Sequence, residues 1–268
     1  MLISVVIPTC NRNDLLRKCL DRLAPGIQSL NRDNYEIIVS DDSRDNTSKA
    51  FVENKYPWAK WLEGSKRGPA ANRNNGAKWA KGEWLVFIDD DCLPDIDLLK
   101  KYERAISESE AKVLEGKVLA DRDQERFDEH SPLNICGGNL WSCNFAIEKQ
   151  LFWVINGFDE EFPFPAMEDI DLYKRITEIT KIRFIDSAYV VHPWRRMKPF
   201  NNYSKWIISH HYFLNKHGIK RDFSFRWSRF KIFVSECISS VPKLISFKFK
   251  GTGFFLEKNM FNFLMILR

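Results

Sequence analysis

The residues best suited to chemistry are three consecutive carboxylates, Asp89, Asp90 and Asp91. They directly follow an uninterrupted apolar run, Trp84–Ile88, which is typical of a strand buried on both faces. Because ionised carboxylates are costly to bury without partners, the acids must emerge at the carboxyl end of that strand, where open α/β sheets bind ligands. In an extended chain Asp89 and Asp91 point to one side and Asp90 to the other. Two converging carboxylates favour a hard divalent cation that also holds a phosphate; the alternative is an acidic turn that caps the next helix.

Two further apolar runs end in polar residues that belong to the same expected edge of the sheet. Leu2–Pro8 ends at a proline, which stops ladder pairing, and the turn Thr9–Arg12 follows it. Tyr35–Ser40 ends in a second acidic pair, Asp41 and Asp42. The turn is short enough to wrap a planar base with its backbone groups. The alternative for the acidic pair is that it only begins the next helix.

The elements that must position these residues alternate in type through the first third of the chain. The predicted strands are Leu2–Pro8, Tyr35–Ser40, Trp58–Leu62, Glu83–Ile88, Lys112–Leu119 and Ile182–Val191. The predicted helices include Pro69–Lys81, Leu98–Ser107, Asn144–Ile155 and Met167–Thr180. Strands that alternate with helices imply an α/β fold with a mostly parallel central sheet flanked by helices.

The charges divide the chain into two parts. From Arg195 to the end there are fifteen basic and three acidic residues, whereas the rest of the chain carries 26 basic and 33 acidic ones. This asymmetry predicts a catalytic domain over residues 1–198 and a basic, mostly helical extension over residues 199–268.

Cysteine use and the first residues predict a cytoplasmic protein. The six cysteines show no CxxC spacing, so neither a zinc site nor a disulfide framework is indicated. The N-terminus lacks the basic region and the cleavage site of a secretory signal. No apolar stretch approaches the roughly 20 residues of a membrane span.

The extension combines lysines and arginines with many aromatic residues from Phe200 onward. Tyr203–Leu214 and Ser224–Ser239 both admit amphipathic helices. This composition suits an anionic membrane surface and predicts a peripheral protein at the inner face of the plasma membrane. One alternative is nucleic-acid binding, but no recognised module accompanies the pattern. The other is a helical extension that packs on the catalytic domain or on another copy.

A series of short motifs in this chain resembles the family 2 glycosyltransferases. The motifs are Val5–Arg12, Asp41–Ser43, Gly68–Trp84, Phe87–Asp91, Cys143–Ile147, Asn156–Glu160 and Met167–Leu172. The resemblance covers about residues 1–195 and implies the GT-A fold, a nucleotide-sugar-binding relative of the Rossmann arrangement. Two departures fall on the acceptor side: Asn156 stands where a glycine often does, and Glu148 with Lys149 replaces a more basic pair.

The resemblance implies a donor site at the carboxyl edge of the sheet. A carboxylate at Asp41 would accept the imide N–H of uracil or thymine. Asp91, Asp89 and His192 would hold Mn²⁺ or Mg²⁺, which balances the charge of the leaving nucleoside diphosphate; the alternative for a lone histidine is a structural role. The residues expected to bind the nucleotide sugar are Pro8, Thr9, Asn11, Arg12, Asp41, Asp42, Arg73, Asp89 and Asp90.

The catalytic base is expected across the sugar from the leaving group, at Asp169, with Glu168 orienting it or contacting the acceptor. An ordinary aspartate is ionised at neutral pH and can take the proton of an attacking hydroxyl. In-line attack without a covalent intermediate predicts inversion at the anomeric carbon. The alternative is that these acids only favour a helix N-terminus.

The sequence therefore predicts an inverting, metal-dependent glycosyltransferase with a UDP- or dTDP-linked donor and a saccharide or lipid-linked acceptor, acting in surface polysaccharide or glycolipid assembly. A sugar-phosphate nucleotidyltransferase is one alternative, although Pro8–Arg12 lacks the glycine-rich loop usual in that class. A non-catalytic nucleotide-sugar-binding scaffold is another, and the intact Asp89, Asp91 and Asp169 argue against it. No nucleic-acid partner is expected.

Overall fold

A mixed, mostly parallel sheet lies at the centre of the computed structural model, which describes residues 1–45, 47–198 and 203–267. The strands are β1 (Ile3–Thr9), β2 (Tyr35–Asp41), β3 (Ala59–Glu63), β4 (Trp84–Phe87), β5 (Leu93–Pro94), β6 (Val113–Ala120), β7 (Glu129–His130), β8 (Phe145–Glu148), β9 (Ile182–His192) and β10 (Arg195–Arg196). The α-helices are α1 (Asn13–Leu23), α2 (Thr47–Lys55), α3 (Pro69–Lys78), α4 (Leu98–Ser107), α5 (Lys149–Val154), α6 (Glu168–Thr177), α7 (Tyr203–Lys216), α8 (Phe223–Ser246) and α9 (Thr252–Leu267). Within the described ranges, eight strands form the main sheet in the order β3-β2-β1-β4-β8-β6-β9-β5, and β7 pairs with β10 in a separate ribbon.

The first four strands form the parallel part of the sheet. β1 lies between β2 and β4, with Ile3 opposite both Tyr35 and Trp84. At the other end of β1, Thr9 lies opposite Asp41. This register brings the carboxyl ends of the three strands to one edge, as the sequence predicts.

Apolar side chains cover both faces of the sheet. Along β1, Val5 belongs to one buried cluster and Val6 to another, because successive side chains point to opposite faces. Helix α3 packs very closely on the second face. A Cβ at Gly76 would lie 2.5 Å from Cγ1 of Val6, so this approach of helix to strand requires glycine.

The predicted helix over Asn144–Ile155 is wrong in its first half. Phe145–Glu148 instead forms β8, which runs antiparallel to both β4 and β6. Phe145, Ala146 and Ile147 are fully buried, because strands flank them on both edges and apolar side chains cover both faces. The helical part is therefore the six-residue α5, and the sheet is mixed at its centre.

The contacts within the chain define two compact units. The first contains residues 1–121, 132–161 and 168–193, and the second contains residues 122–131, 162–167 and the described residues from Trp194 onward. The proposed division into residues 1–198 and 199–268 stays a prediction. Phe200, from which the aromatic extension was counted, lies outside the described residues.

The second unit is largely helical. Ile207, Phe213 and Leu214 of α7 pack with Met265 of α9, and Leu244 of α8 packs with other apolar side chains of the unit. α8 extends seven residues beyond the predicted Ser239, to Ser246. In the described part of the chain, no helix combines the length and the apolar character needed to cross a bilayer.

Candidate active site

The three strand ends bring polar side chains into direct contact at the carboxyl edge of the sheet. Thr9, the last residue of β1, donates a hydrogen bond from its hydroxyl to Asp90, with 2.6 Å between Oγ1 and Oδ2. Asp41, the last residue of β2, pairs with Thr9 in the strand register. The first part of the site is therefore built from residues that are far apart in sequence but adjacent in a parallel sheet.

The acidic triplet does not continue the strand. β4 ends at Phe87, and Asp90 and Asp91 lie in a turn, so the strict alternation predicted for an extended chain does not hold. Asp90 is fully buried and Asp91 nearly so, whereas Asp89 is half-buried. The turn follows from the cost of burying carboxylates, since it lets each acid find its own partners.

Arg12 is the principal cationic partner of two of these acids. Its Nη2 lies 2.8 Å from Oδ1 of Asp90, and its Nη1 lies 3.6 Å from Oδ2 of Asp91. Burial raises the pKa of Asp90 to about 7, against the opposing effects of Arg12 and Thr9. The structure thus places the guanidinium of Arg12 against the turn formed by Asp89, Asp90 and Asp91, called here the acidic turn. The contacts of Arg12 and Asp90 with a nucleotide stay predictions.

His192, at the end of β9, faces Asp91. Its Nε2 lies 3.4 Å from Oδ1 of Asp91, and its side chain is fully buried. Its Nδ1 lies 2.8 Å from the carbonyl oxygen of Pro193. Because a carbonyl oxygen only accepts hydrogen bonds, the proton of the neutral imidazole belongs on Nδ1, and the lone pair of Nε2 is directed toward Asp91.

This pair fits a hard divalent cation. Two adjacent ligands of an octahedral Mg²⁺, each at about 2.1 Å, are about 3 Å apart, close to the observed separation of Asp91 and His192. Asp91, Cys92 and His192 also offer ligand atoms that all lie within 4.8 Å of one another. Burial raises the pKa of the Cys92 thiol well above its usual value, and soft sulfur is a poor ligand for a hard cation. A cation here would be held by Asp91 and His192, with phosphate oxygens and water completing its shell; the ligand role of Asp89 stays a prediction.

Arg73, on α3, links the acidic turn to the start of α6. Its Nη2 lies 2.8 Å from Oδ1 of Asp89, and its Nη1 lies 3.7 Å from Oε1 of Glu168. The guanidinium also lies over the ring of Phe158, 5.4 Å from the ring centre. The observed contacts of Arg73 join the acidic turn to the first turn of α6. A contact between Arg73 and the nucleotide stays a prediction.

Glu168 and Asp169 occupy the first turn of α6, where the helix dipole favours negative charge. Asp169 accepts a hydrogen bond at Oδ2 from the backbone N–H of Ser142, at 3.4 Å, and its Oδ1 is buried with no hydrogen-bond partner among the described residues. Burial and the charge of Asp169 raise the pKa of Glu168 to about 7. Burial likewise raises the pKa of Asp169. The pair can therefore accept a proton near neutral pH, but the base role of Asp169 stays a prediction.

The remaining predicted donor-site residues are held by local hydrogen bonds. Asp41 accepts from the backbone N–H of Ser43 at 2.9 Å and from Nε1 of Trp61 at 3.3 Å. Asp42 accepts from the backbone N–H groups of Lys66 at 2.9 Å and Gly68 at 3.1 Å, which fixes the loop before α3. Pro8 lies within β1, and Asn11 adopts a left-handed φ of 55° in the following turn. The nucleotide contacts of these residues stay predictions.

Sequence reasoning missed Trp61 and Ser142 as partners of predicted site residues. A signal for Trp61 was present in the predicted parallel strands. Trp61 of β3 lies opposite Val39 of β2. Val39 and Asp41 are two residues apart on β2, so their side chains share a face of the sheet. Trp61 therefore lies on the face of the sheet that Asp41 uses. For Ser142 the sequence carried no such signal, because its backbone contact depends on how the loop before β8 meets α6.

The family model described as "Glycosyl transferase family 2" matches residues 4–167, more than half of the chain. The chain belongs to this family. The match contains all of β1 except Ile3, the acidic turn and Arg73, and it ends directly before α6. The predicted family resemblance is thereby confirmed.

Two curated relatives match part of this family 2 chain. The poly(ribitol-phosphate) beta-glucosyltransferase of Bacillus spizizenii is 33% identical over 123 residues, 44% of this chain and 19% of that protein. The GalNAc(5)-diNAcBac-PP-undecaprenol beta-1,3-glucosyltransferase of Campylobacter jejuni is 39% identical over 98 residues, 33% of this chain and 29% of that protein. The chain thus spans less than a third of the length of either relative.

Solved structures confirm the GT-A fold. The crystal structure of S. aureus TarS 1-349 in complex with UDP has a TM-score of 0.58 and 25% sequence identity, with 80% of this chain and 66% of that chain covered. The mannosyltransferase PcManGT from Pyrobaculum calidifontis, in complex with GDP-Man and Mn²⁺, has a TM-score of 0.55 at 20% identity, with 75% of this chain and 59% of that chain covered. At that identity the second likeness shows the fold alone.

Proposed function

We propose that the protein is an inverting, metal-dependent glycosyltransferase that moves a sugar from a UDP- or dTDP-linked donor to a hydroxyl group. The observation that carries the proposal is the close approach of His192 to Asp91 at the carboxyl edge of the sheet, with 3.4 Å between Nε2 and Oδ1. When bound there, Mn²⁺ or Mg²⁺ would supply positive charge that stabilises the departing nucleoside diphosphate.

On the donor side, the chain's own residues position the nucleotide sugar and neutralise part of its phosphate charge. Arg12 lies beside the acidic turn, where its guanidinium can exchange a carboxylate for a phosphate oxygen. Asp41, at the end of β2, is the residue proposed to accept the imide N–H of the base. The polar residues of the turn after β1 complete this side of the site.

On the acceptor side, the acids at the start of α6 receive the proton of the attacking hydroxyl. Asp169 is proposed as the base, because Oδ1 has no hydrogen-bond partner among the described residues and burial raises its pKa. A direct attack assisted by this base forms the new glycosidic bond as the bond to the diphosphate breaks, and the anomeric configuration inverts.

The comparisons favour a donor with a uridine nucleotide and an acceptor in a surface polymer or glycolipid. TarS, which shares the fold, was crystallised with UDP. The names of the two curated relatives specify a poly(ribitol-phosphate) and an undecaprenol-linked acceptor. We propose an acceptor of the same broad class, a saccharide or a lipid-linked glycan.

A panel of nucleotide sugars tests this proposal by thermal unfolding. UDP-, dTDP- and GDP-linked sugars are each added with Mn²⁺ and, as a control, with a chelator in place of the metal. A ligand present at 100 times its Kd stabilises the folded state by about 2.7 kcal/mol, which raises the Tm of a chain of this size by roughly 5–10 °C. We expect this increase for a uridine or thymidine donor with Mn²⁺ only. Equal increases with the chelator, or none with any donor, would contradict the proposal.

We further propose that the second unit holds the enzyme at the inner face of the plasma membrane. Phe223, Trp227 and Phe230 form a continuous aromatic stripe on α8, with relative exposures of 81%, 49% and 42%. Lys231 lies over the Trp227 ring, 5.7 Å from its centre. Exposed rings beside cations suit the interface of an anionic bilayer, where the rings enter the headgroup region and the cations meet phosphates.

Sedimentation with lipid vesicles checks this proposal. Full-length protein should pellet with vesicles that contain phosphatidylglycerol, and less of it should pellet as salt rises from about 0.1 M to about 1 M, since the Debye length falls from about 10 Å to about 3 Å. Replacing all three residues of the aromatic stripe by serine should weaken binding about tenfold or more. The matched control replaces three exposed apolar residues of the first unit, Trp79, Ile96 and Ile179, by serine. Equal binding by the two triple variants would exclude the stripe as the membrane contact.

A further inference from the structure

The second unit contains a cavity of about 580 Å³, a volume within the usual range for small-molecule sites. Five aromatic side chains contribute to its wall: Phe127, Trp194, Trp206, Phe254 and Phe261. None of the predicted site residues lines it. The cavity is therefore a candidate site that the proposed chemistry does not use.

The rings in this cavity are held in fixed orientations. Trp194 donates from Nε1 to the carbonyl oxygen of Arg122 at 2.7 Å. Trp206 packs edge-on against Phe254 and Phe261, with ring centres 6.0 Å and 6.1 Å apart. Aromatic faces that are already oriented lose little conformational entropy when a ligand packs on them. The cavity wall thus offers preorganised flat surfaces.

Three of the four acidic and lysine side chains in the wall are engaged in ion pairs, and the fourth, Lys243, lies over the ring of Phe247, 5.9 Å from its centre. Glu236 forms an ion pair with Lys258 at 2.6 Å, and both line the cavity. Glu129, which also lines it, forms an ion pair with Arg122 at 2.7 Å. These pairs neutralise both carboxylates, so the wall lacks the cluster of available cations that a polyphosphate ligand requires.

Polar groups without formal charge lie between the rings. Ser240 and Asn262 line the cavity and are both nearly buried. A purely apolar ligand such as a lipid chain would cover these hydroxyl and amide groups without giving them hydrogen bonds, which is costly. The wall therefore matches a neutral ligand that has both an apolar face and hydroxyl groups.

We propose that this cavity binds a neutral saccharide, as a subsite for the glycan of the acceptor. The C–H face of a pyranose ring packs on an aromatic side chain, and its hydroxyls exchange hydrogen bonds with amide and hydroxyl groups of the wall. The assignment of this saccharide to the acceptor rests on the proposed glycosyltransferase function. Saccharide binding itself requires neither metal nor donor.

Saturation-transfer NMR and calorimetry test the proposal on the full-length protein without donor or metal. The probes are neutral malto-, cello- and chito-oligosaccharides, with an alkyl alcohol as the lipid-chain probe. We expect at least one oligosaccharide series to bind. Trp194→Ala and Asn262→Ala should each weaken that binding about tenfold, a loss of about 1.4 kcal/mol. Trp79→Ala, which removes an exposed indole of the first unit, is the matched control and should bind as the wild type does.

The variants' Tm values separate lost binding from lost folding. If Trp194→Ala lowers the Tm substantially, Asn262→Ala decides the question. No binding across the oligosaccharide panel, undiminished binding by Asn262→Ala, or competition by the alkyl alcohol would overturn the proposal. Donor binding in the nucleotide-sugar panel is measured independently, so failure of this subsite and failure of the glycosyltransferase assignment give different results.

Discussion

Replacing Asp169 by asparagine is expected to lower the rate of sugar transfer by about 10²–10⁴-fold, the usual contribution of a positioned acid–base group. The substitution keeps the size of the side chain and its polarity at the start of α6. It removes only the ability to take a proton from the acceptor hydroxyl. Donor binding should survive, because the proposed nucleotide contacts are at Asp41 and the acidic turn. Initial rates with a donor identified in the nucleotide-sugar panel, together with donor affinity by calorimetry, measure the two effects.

Asp186→Asn is the matched control, because it removes an exposed carboxylate of the first unit whose ion-pair partner among the described residues is Lys117. If Asp169 merely favours the helix N-terminus, its replacement should cost about 1 kcal/mol of stability or less and leave the rate nearly intact. A near-wild-type rate for Asp169→Asn would move the base to Glu168 or Asp171.

The pH profile of the transfer rate gives a second readout of the base. Burial raises the pKa of Asp169, and the base must be ionised, so wild-type activity should be lost with falling pH at a higher pH than an ordinary aspartate would set.

Replacing Asp91 by asparagine is expected to abolish the Mn²⁺ dependence of UDP binding and to lower transfer by about 10²–10³-fold, a loss typical of removing one electrostatic contact to the transition state. The neutral amide is a much weaker ligand for a hard cation than a carboxylate. Calorimetry measures the affinity for UDP once in the presence of Mn²⁺ and once in the presence of a chelator. The difference between the two affinities is the metal-dependent part of UDP binding. Cys92→Ala is the matched control within the same ligand group, because soft sulfur is a poor ligand for a hard cation. Unchanged UDP affinity of the wild type in the chelator would refute the metal role.

The parallel half of the sheet and its acidic edge follow from sequence alone. β1, β2 and β4 are apolar runs with no helical periodicity; β1 and β2 end at Thr9 and Asp41, and Asp89 follows β4 after one further apolar residue. The carboxyl ends of parallel strands meet at one edge of a sheet. The sequence alone therefore predicts that Thr9, Asp41 and the acidic turn lie close together. These confirmed features depend on local pattern and on strand direction.

The features that were not predicted depend on contacts between distant segments. β8 was taken for the start of a helix because a buried four-residue run has no periodicity that distinguishes it from a helical segment. The pairing of Arg73 with Asp89 and Glu168 was not predicted, because it depends on how α3, the turn after β4 and α6 meet. The cavity of the second unit collects side chains from residues 122–131 and from segments beyond residue 193. No pattern within one segment could indicate such a set.

Arg73 also affects how the two sides of the site influence each other. A guanidinium carries a single positive charge, and this one is shared between Asp89 on the donor side and Glu168 beside the proposed base. A donor that engages Asp89 leaves more of that charge to Glu168, which favours the ionised form of the glutamate. By thermodynamic reciprocity, loss of the proton from Glu168 favours donor binding to the same extent. With the proposed donor site, donor binding and the ionisation of Glu168 are therefore coupled through a single shared side chain, whichever substrate binds first.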